Sequence, residues 1–172
     1  MISSEIIFFY ADTLIHLTKI SRYVKYIIRF YMDYYKVMAL DYGEVRIGVA
    51  MTDLMRLIAS PFETYTRKNL QADINHICGL IKDNSVKTVV VGLPLNMDGT
   101  EGERAQKTRE FVNELKNNTP ANVNFVFQDE RLSSVSAEEI LLEGGMKRKD
   151  RKQNIDKVAA AIILESYLNS KK

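Results

Sequence analysis

The stretch from Lys36 to Ala50 constrains this chain more than any other. Two short apolar runs, Lys36-Val37-Met38-Ala39-Leu40 and Val45-Arg46-Ile47-Gly48-Val49-Ala50, meet across Asp41-Tyr42-Gly43-Glu44. Short apolar runs joined by turn residues read as adjacent strands. Asp and Gly are common turn formers, so a hairpin alone accounts for Asp41 and Gly43. A strand that delivers a carboxylate at its C-terminal end, beside a glycine that keeps the backbone open, is equally a way of holding a metal ion or a phosphate. Which of the two applies depends on whether the rest of the chain supplies partners for Asp41.

The pattern predicts strands over 36–41 and 46–52, then an extended piece near 62–66 after Pro61. Ile74, Ile77, Cys78 and Ile81 share one face of a helix expected from about Leu70 to Lys82. Thr88-Val89-Val90-Val91 is a continuous apolar run, as in a strand buried on both faces, and it ends in Gly92-Leu93-Pro94. Thr100-Glu101-Gly102-Glu103 has the form of a capping box opening a helix with Phe111, Val112 and Leu115 inward. A strand at 124–127 leads into Asp129-Glu130-Arg131, followed by a helix over about 134–143 that Gly144-Gly145 stops. Lys147 to Lys152 has no apolar periodicity and reads as a loop, and a last helix spans about 155–168. Two hairpin-like strands followed by alternating helix and strand give an α/β domain, a mixed sheet of about five strands flanked by helices.

The chain of 172 residues suits one domain with a sizeable core, and its 46% hydrophobic and 27% charged content is that of an ordinary globular protein. A formal net charge of +2 advertises no global field for nucleic acid, so any such role must rest on local charge. Cys78, His16 and His76 are the only residues of their kinds, which excludes a disulfide framework and a Cys/His zinc site. No run has the apolar length of a transmembrane helix.

Residues 1–35 stand apart: they hold six of the nine tyrosines and three of the seven phenylalanines. Tyr23, Tyr26, Ile27 and Phe30 fall on one helical face, with Arg22, Lys25 and Arg29 on another, a pattern suited to a membrane surface or a partner. The plainer expectation is that the natural protein starts at Met32. The division expected is an extension over 1–35 and a functional domain over 36–172.

In open α/β sheets, ligands bind outside the carboxyl ends of the strands. Asp41 ends the first strand there, and Asp129 and Glu130 follow the last; Asp156 opens the final helix. Each has an ordinary structural use, Asp156 as a favourable first-turn acid, Glu130 as a partner for Arg131 or Arg46, and Asp129 as a turn cap. Together they suit one or two Mg²⁺ or Mn²⁺ ions, hard cations that take oxygen ligands. Paired ions of this kind clamp the attacking water and the leaving oxygen of an in-line phosphodiester displacement. Lys147, Arg148, Lys149, Arg151 and Lys152 put positive charge beside Asp156. A solvated loop needs no more explanation than that, but a polyphosphate substrate would use such a patch, and Arg46, for positioning.

Four stretches then resemble one family. Asp41-Tyr42-Gly43-x-x-Arg46-Ile47-Gly48, Gly92-Leu93-Pro94-Leu95-Asn96-x-Asp98-Gly99, Asp129-Glu130-Arg131-Leu132-Ser133-Ser134 and Ile155-Asp156-Lys157-x-Ala159-Ala160 look like the YqgF (RuvX) family, in its motif order and over about 36–168. Those bacterial proteins are described as Holliday-junction resolvases and as nucleases maturing the 5′ end of precursor 16S ribosomal RNA. The resemblance implies a ribonuclease H-like fold, with Asp41, Glu130 and Asp156 as catalytic metal ligands and Asp129 as a fourth acid. It also implies phosphate contacts for Thr100 and Arg104. Ser133-Ser134 stands where many relatives carry threonines, which keeps the hydroxyls.

The function expected is therefore a metal-dependent endonuclease acting on structured RNA, the precursor of 16S ribosomal RNA, in the cytoplasm, as monomer or homodimer and without stable membrane association. The alternatives are cleavage of four-way DNA junctions at the same site and a non-catalytic nucleic-acid-binding regulator of transcription. An ATPase of the actin or sugar-kinase type needs two such domains, for which the chain has no room.

Overall fold

The structure, a computed structural model, describes residues 34–130, 141 and 148–171, with backbone alone at 148–153. The elements are β1 (Lys36–Tyr42), β2 (Arg46–Thr52), β3 (Ala59–Thr66), α1 (Leu70–Asp83), β4 (Val86–Leu93), α2 (Glu103–Asn117), β5 (Asn124–Asp129) and α3 (Arg148–Asn169). They build one five-stranded sheet in the order β3-β2-β1-β4-β5. β1, β2 and β3 form an antiparallel meander, and β4 and β5 run parallel to β1. The sheet is thus mixed, as the strand pattern predicts.

Alternation along β1 sorts its side chains onto two faces. Met38 and Leu40 join Val49, Val89 and Val91 in a core closed by Ile74, Ile77 and Ile81 of α1 and Phe111, Val112 and Leu115 of α2. Val37 and Ala39 join Ala50 and Val90 beneath Ala160, Ile163 and Leu164 of α3. Small residues on both partners let α3 lie close to the sheet. Burying an Ile or Leu fully contributes about 1.5–3 kcal/mol, so Ile163 and Leu164 alone hold α3 firmly.

Local chemistry sets the element ends. The Asn69 side chain accepts from the Ala72 amide at 2.9 Å and caps α1. Ser85 takes a positive φ of 53° in the tight turn into β4.

Three expectations change. β3 starts at Ala59 rather than near 62, because Pro61 sits on an edge strand beside a register shift at Val49/Ala50, where a missing donor is tolerated. α3 starts at Arg148, so the basic run from that residue on is helical rather than a loop. Lys and Arg are good helix formers and no Gly or Pro interrupts 147–168, so a helix here needs no apolar periodicity. Asp156 accordingly lies two turns inside the helix, not at its start. Thr100 does not cap α2, whose N-cap Gly102 makes no side-chain bond. Its hydroxyl is used within the preceding loop, donating to Asp98 at 2.7 Å, while Glu101 pairs with Arg109. The helix expected at 134–143 lies outside the described residues except for Leu141, which is helical and buried.

Candidate active site

Asp41 leaves β1 on the face covered by α3, since it follows Val37 and Ala39 at strand spacing. Its cross-strand partner is Gly48. A Cβ at Gly48 would overlap the main-chain carbonyl of Asp156, so the α3 backbone rests directly on β2 at that point. This close approach carries Asp156 beside Asp41. Gly92 does the same for the third acid: a Cβ there would run into the Glu130 carboxylate and meet Ile163 Cδ1 at 2.7 Å. Glu130 itself is tied to the sheet by its amide, which donates to Leu93 O at 3.4 Å. The two glycines are therefore the space into which helix and carboxylate fit.

The three acids are electrically coupled. Burial, and then the negative charge of Asp156, push the Asp41 carboxyl up to about 6, against the pull of the Arg104 guanidinium. Burial and the charge of Asp41 push Glu130 up to about 7; Arg104 again opposes, and Asp129 adds to the rise. Arg104 stands in the first turn of α2 and so reaches both carboxylates from the far side of the cleft. Arg46, at the start of β2, donates from Nε to Asp156 Oδ2 at 2.5 Å.

Hard oxygen donors gathered at a mutual electrostatic cost fit a divalent cation, which would relieve that cost. As they stand, no three such side chains among the described residues lie close enough together to hold an ion. Asp156 is turned instead to Arg46.

A cleft of about 440 Å³ beside Asp156 is lined by Gly43, Glu44, Val45, Arg46, Arg104 and Asp156, and not by Asp41 or Glu130. Of the cations named from sequence, Arg46 and Arg104 face it. The side chains of Arg148, Lys149, Arg151 and Lys152, and all of Lys147, lie outside the described residues. Thr100 is bound into its own loop and not brought to the acids.

One support escaped the sequence reading. Asp73 is fully buried and accepts from Arg67 Nε at 2.9 Å and from the Lys68 amide at 3.0 Å. Arg67 Nη1 donates in turn to the carbonyl of Gly43 at 3.0 Å and to that of Glu44 at 3.3 Å. Its guanidinium lies 4.4 Å from the ring centroid of Tyr42, whose ring stacks on Phe111 at 4.3 Å. Arg67 thus pins the turn that follows Asp41. The only signal in the sequence is an acid beside Ile74 on the inward side of an apolar helix.

A family model described as RuvX, Holliday junction resolvase, matches residues 35–170. A provisionally named pre-16S rRNA nuclease of Halothermothrix orenii is 48% identical over 136 residues, which is 78% of this chain and 94% of the relative. A protein of the same name from Fusobacterium nucleatum is 43% identical over 138 residues, 80% of this chain and 99% of the relative. Among solved structures, T. thermophilus RuvC in complex with Holliday junction substrate superposes with a TM-score of 0.54 at 13% identity, covering 80% of this chain and 97% of that one.

Proposed function

Because the chain belongs to the RuvX family and has a ribonuclease H-like fold, we propose that it is a metal-dependent endonuclease hydrolysing phosphodiesters of structured nucleic acid, and that it processes the 5′ end of precursor 16S ribosomal RNA. The observation that carries the reading is the coupled acid set, Asp41 and Glu130 with raised pKa values beside Asp156, at one end of the sheet. Holding Asp41 and Glu130 buried beside one another costs folding free energy, and perturbed carboxyls of this kind concentrate at functional sites. The curated relatives carry the rRNA half of the proposal through their names.

In this reading Asp41, Glu130 and Asp156 hold one or two Mg²⁺ or Mn²⁺ ions. Bound there, the ions would supply Lewis-acid stabilisation to the attacking and leaving oxygens of an in-line displacement. The chain's own residues do the rest. Arg104 and Arg46 offer guanidinium donors to the non-bridging phosphate oxygens and offset the carboxylate charge that would repel the backbone. Gly43 keeps the strand end low, and Arg67 holds its carbonyl turned away from the incoming anion. Asp129 contributes charge to Glu130. The domain doing this work spans 36–172, acts in the cytoplasm, and works as a monomer or homodimer.

The test presents purified protein with immature small-subunit particles and with synthetic four-way junctions, each with Mg²⁺ or Mn²⁺. Trimming of the particle rRNA, lost in Asp41→Asn, is the expected result. Retained cleavage in that variant would remove the assignment of Asp41. The description of the matching family model favours a second reading, junction cleavage by the same acids. Its mark would be paired cuts in the four-way substrate with the particles left intact.

A further inference from the structure

A larger pocket, about 730 Å³, opens on the opposite side of the β1 end from the acids. Tyr42, next in the strand after Asp41, points to that side and joins the core of α1 and α2. Gly43, Glu44 and Arg104 line both this pocket and the cleft, so the two spaces share a wall. A strand leaving the cleft over the Gly43–Glu44 turn would enter it.

Its lining mixes the cations Arg67, Arg104 and Lys107 with as many carboxylates and with apolar groups, unlike a groove that only follows phosphates. Leu70, 47% exposed, and Phe111 supply an apolar floor. Arg67 is the outer layer of a stack that continues through Tyr42 to Phe111, held in place by Asp73 and the Gly43 carbonyl. Glu110, Asn113 and Glu114 line the same pocket from α2. Carboxylates repel a sugar–phosphate chain but accept from the amino and imino groups of a base edge, and guanidinium planes stack on base faces. The volume falls in the range of small-molecule sites and suits one nucleotide.

We propose that this pocket receives the base of an unpaired nucleotide flanking the scissile phosphate, so that the enzyme cuts where its substrate strand is locally single-stranded. The proposal rests on the nuclease reading, but its binding step does not require cleavage.

The experiment uses the full chain as Asp41→Asn, which removes turnover, and a 12-nucleotide RNA carrying 2-aminopurine at successive positions, titrated with the same RNA in duplex as comparison. A saturable fluorescence change at one position of the single strand is expected. Leu70→Glu should abolish it and weaken single-strand binding about tenfold, the scale of one lost base stack. That substitution lies in the first turn of α1, where an acid is favourable, so the fold should survive and an unchanged melting temperature checks it. Asn113→Ala should weaken the same signal without a charge change. In the Asp41-containing protein, Leu70→Glu should lower the ratio of single-strand to duplex cleavage by a similar factor. The absence of any position-specific signal, or a signal indifferent to both pocket variants, overturns the proposal. If the signal is pocket-dependent but no substrate is cleaved, the nuclease reading fails and the pocket stands. If cleavage proceeds with its strand preference unaltered in the variants, the reverse holds.

Discussion

At the scale of single residues, the site is a place where the fold holds negative charge against its own electrostatics. The folded-state values of Asp41 and Glu130, about 6 and about 7, lie above their ordinary 3.8 and 4.5. The native protein therefore binds more protons than the unfolded chain across roughly pH 4 to 7, and stability falls as pH rises through that window. In metal-free protein, urea midpoints should decline from pH 4.5 to 7.5, with a shallower decline in Asp41→Asn. Added Mg²⁺ should restore the loss at neutral pH, because it binds ionised native carboxylates. At pH 7.5 with EDTA, Asp41→Asn should be more stable than the parent by about 1–3 kcal/mol, one pKa unit being about 1.4 kcal/mol. A lower melting temperature for the variant would show that Asp41 is structural. Gly48 is the steric counterpart. Gly48→Ala must push its methyl into the Asp156 carbonyl, which is helix backbone and cannot swing aside, at a cost of about 3 kcal/mol. Thermal unfolding reads it directly; a loss below 1 kcal/mol would mean that α3 is not seated as described.

At the scale of elements, the helices and strands were largely legible. β2 spans 46–52 as its apolar run indicates, and α1 ends one residue beyond the Ile74/Ile77/Ile81 stripe's expected limit. Periodicity reports on apolar burial alone, so it missed the start of α3, which follows from the helix propensity of Lys and Arg, and the first half of β3, which depends on the strand alongside. Arg67 is the clearest instance: it belongs to the β3–α1 link, yet its bonds run to α1 and to the β1–β2 turn. Arg67→Ala should cost about 2–3 kcal/mol, since it strands the buried Asp73 carboxylate. Combining it with Asp73→Asn should recover part of that loss, measured as a double-mutant cycle in urea. If the two losses simply add, the pair is not a unit. Arg67→Ala should also lower cleavage, because the turn after Asp41 loses its support.

At the scale of the whole molecule, the sheet order explains why acids so far apart in sequence meet. β1 is central, β4 and β5 run parallel to it, and their carboxyl ends deliver Asp41 and Glu130 to the same edge. α3 crosses β2 and β1 on one face and adds Asp156. The opposite face at that edge belongs to α1 and α2, and there the strand end shapes a second space. The resemblance in four motifs and the alternation of elements were enough to anticipate a mixed α/β sheet with Asp41 near the carboxyl end of its first strand. Local patterns suffice for that, because strand pairing and burial follow from side-chain period and apolarity along each segment. What only the tertiary structure decided is how the charges are arranged. Arg46 is paired with Asp156 across 110 positions, Arg104 faces Asp41 and Glu130 from another helix, and Arg67 braces the turn. The first two arrangements exist because α3 lies on a bare Gly48 and Glu130 fits over a bare Gly92. A missing side chain acts through whatever fills its space, and the filling residue is chosen by packing between distant segments.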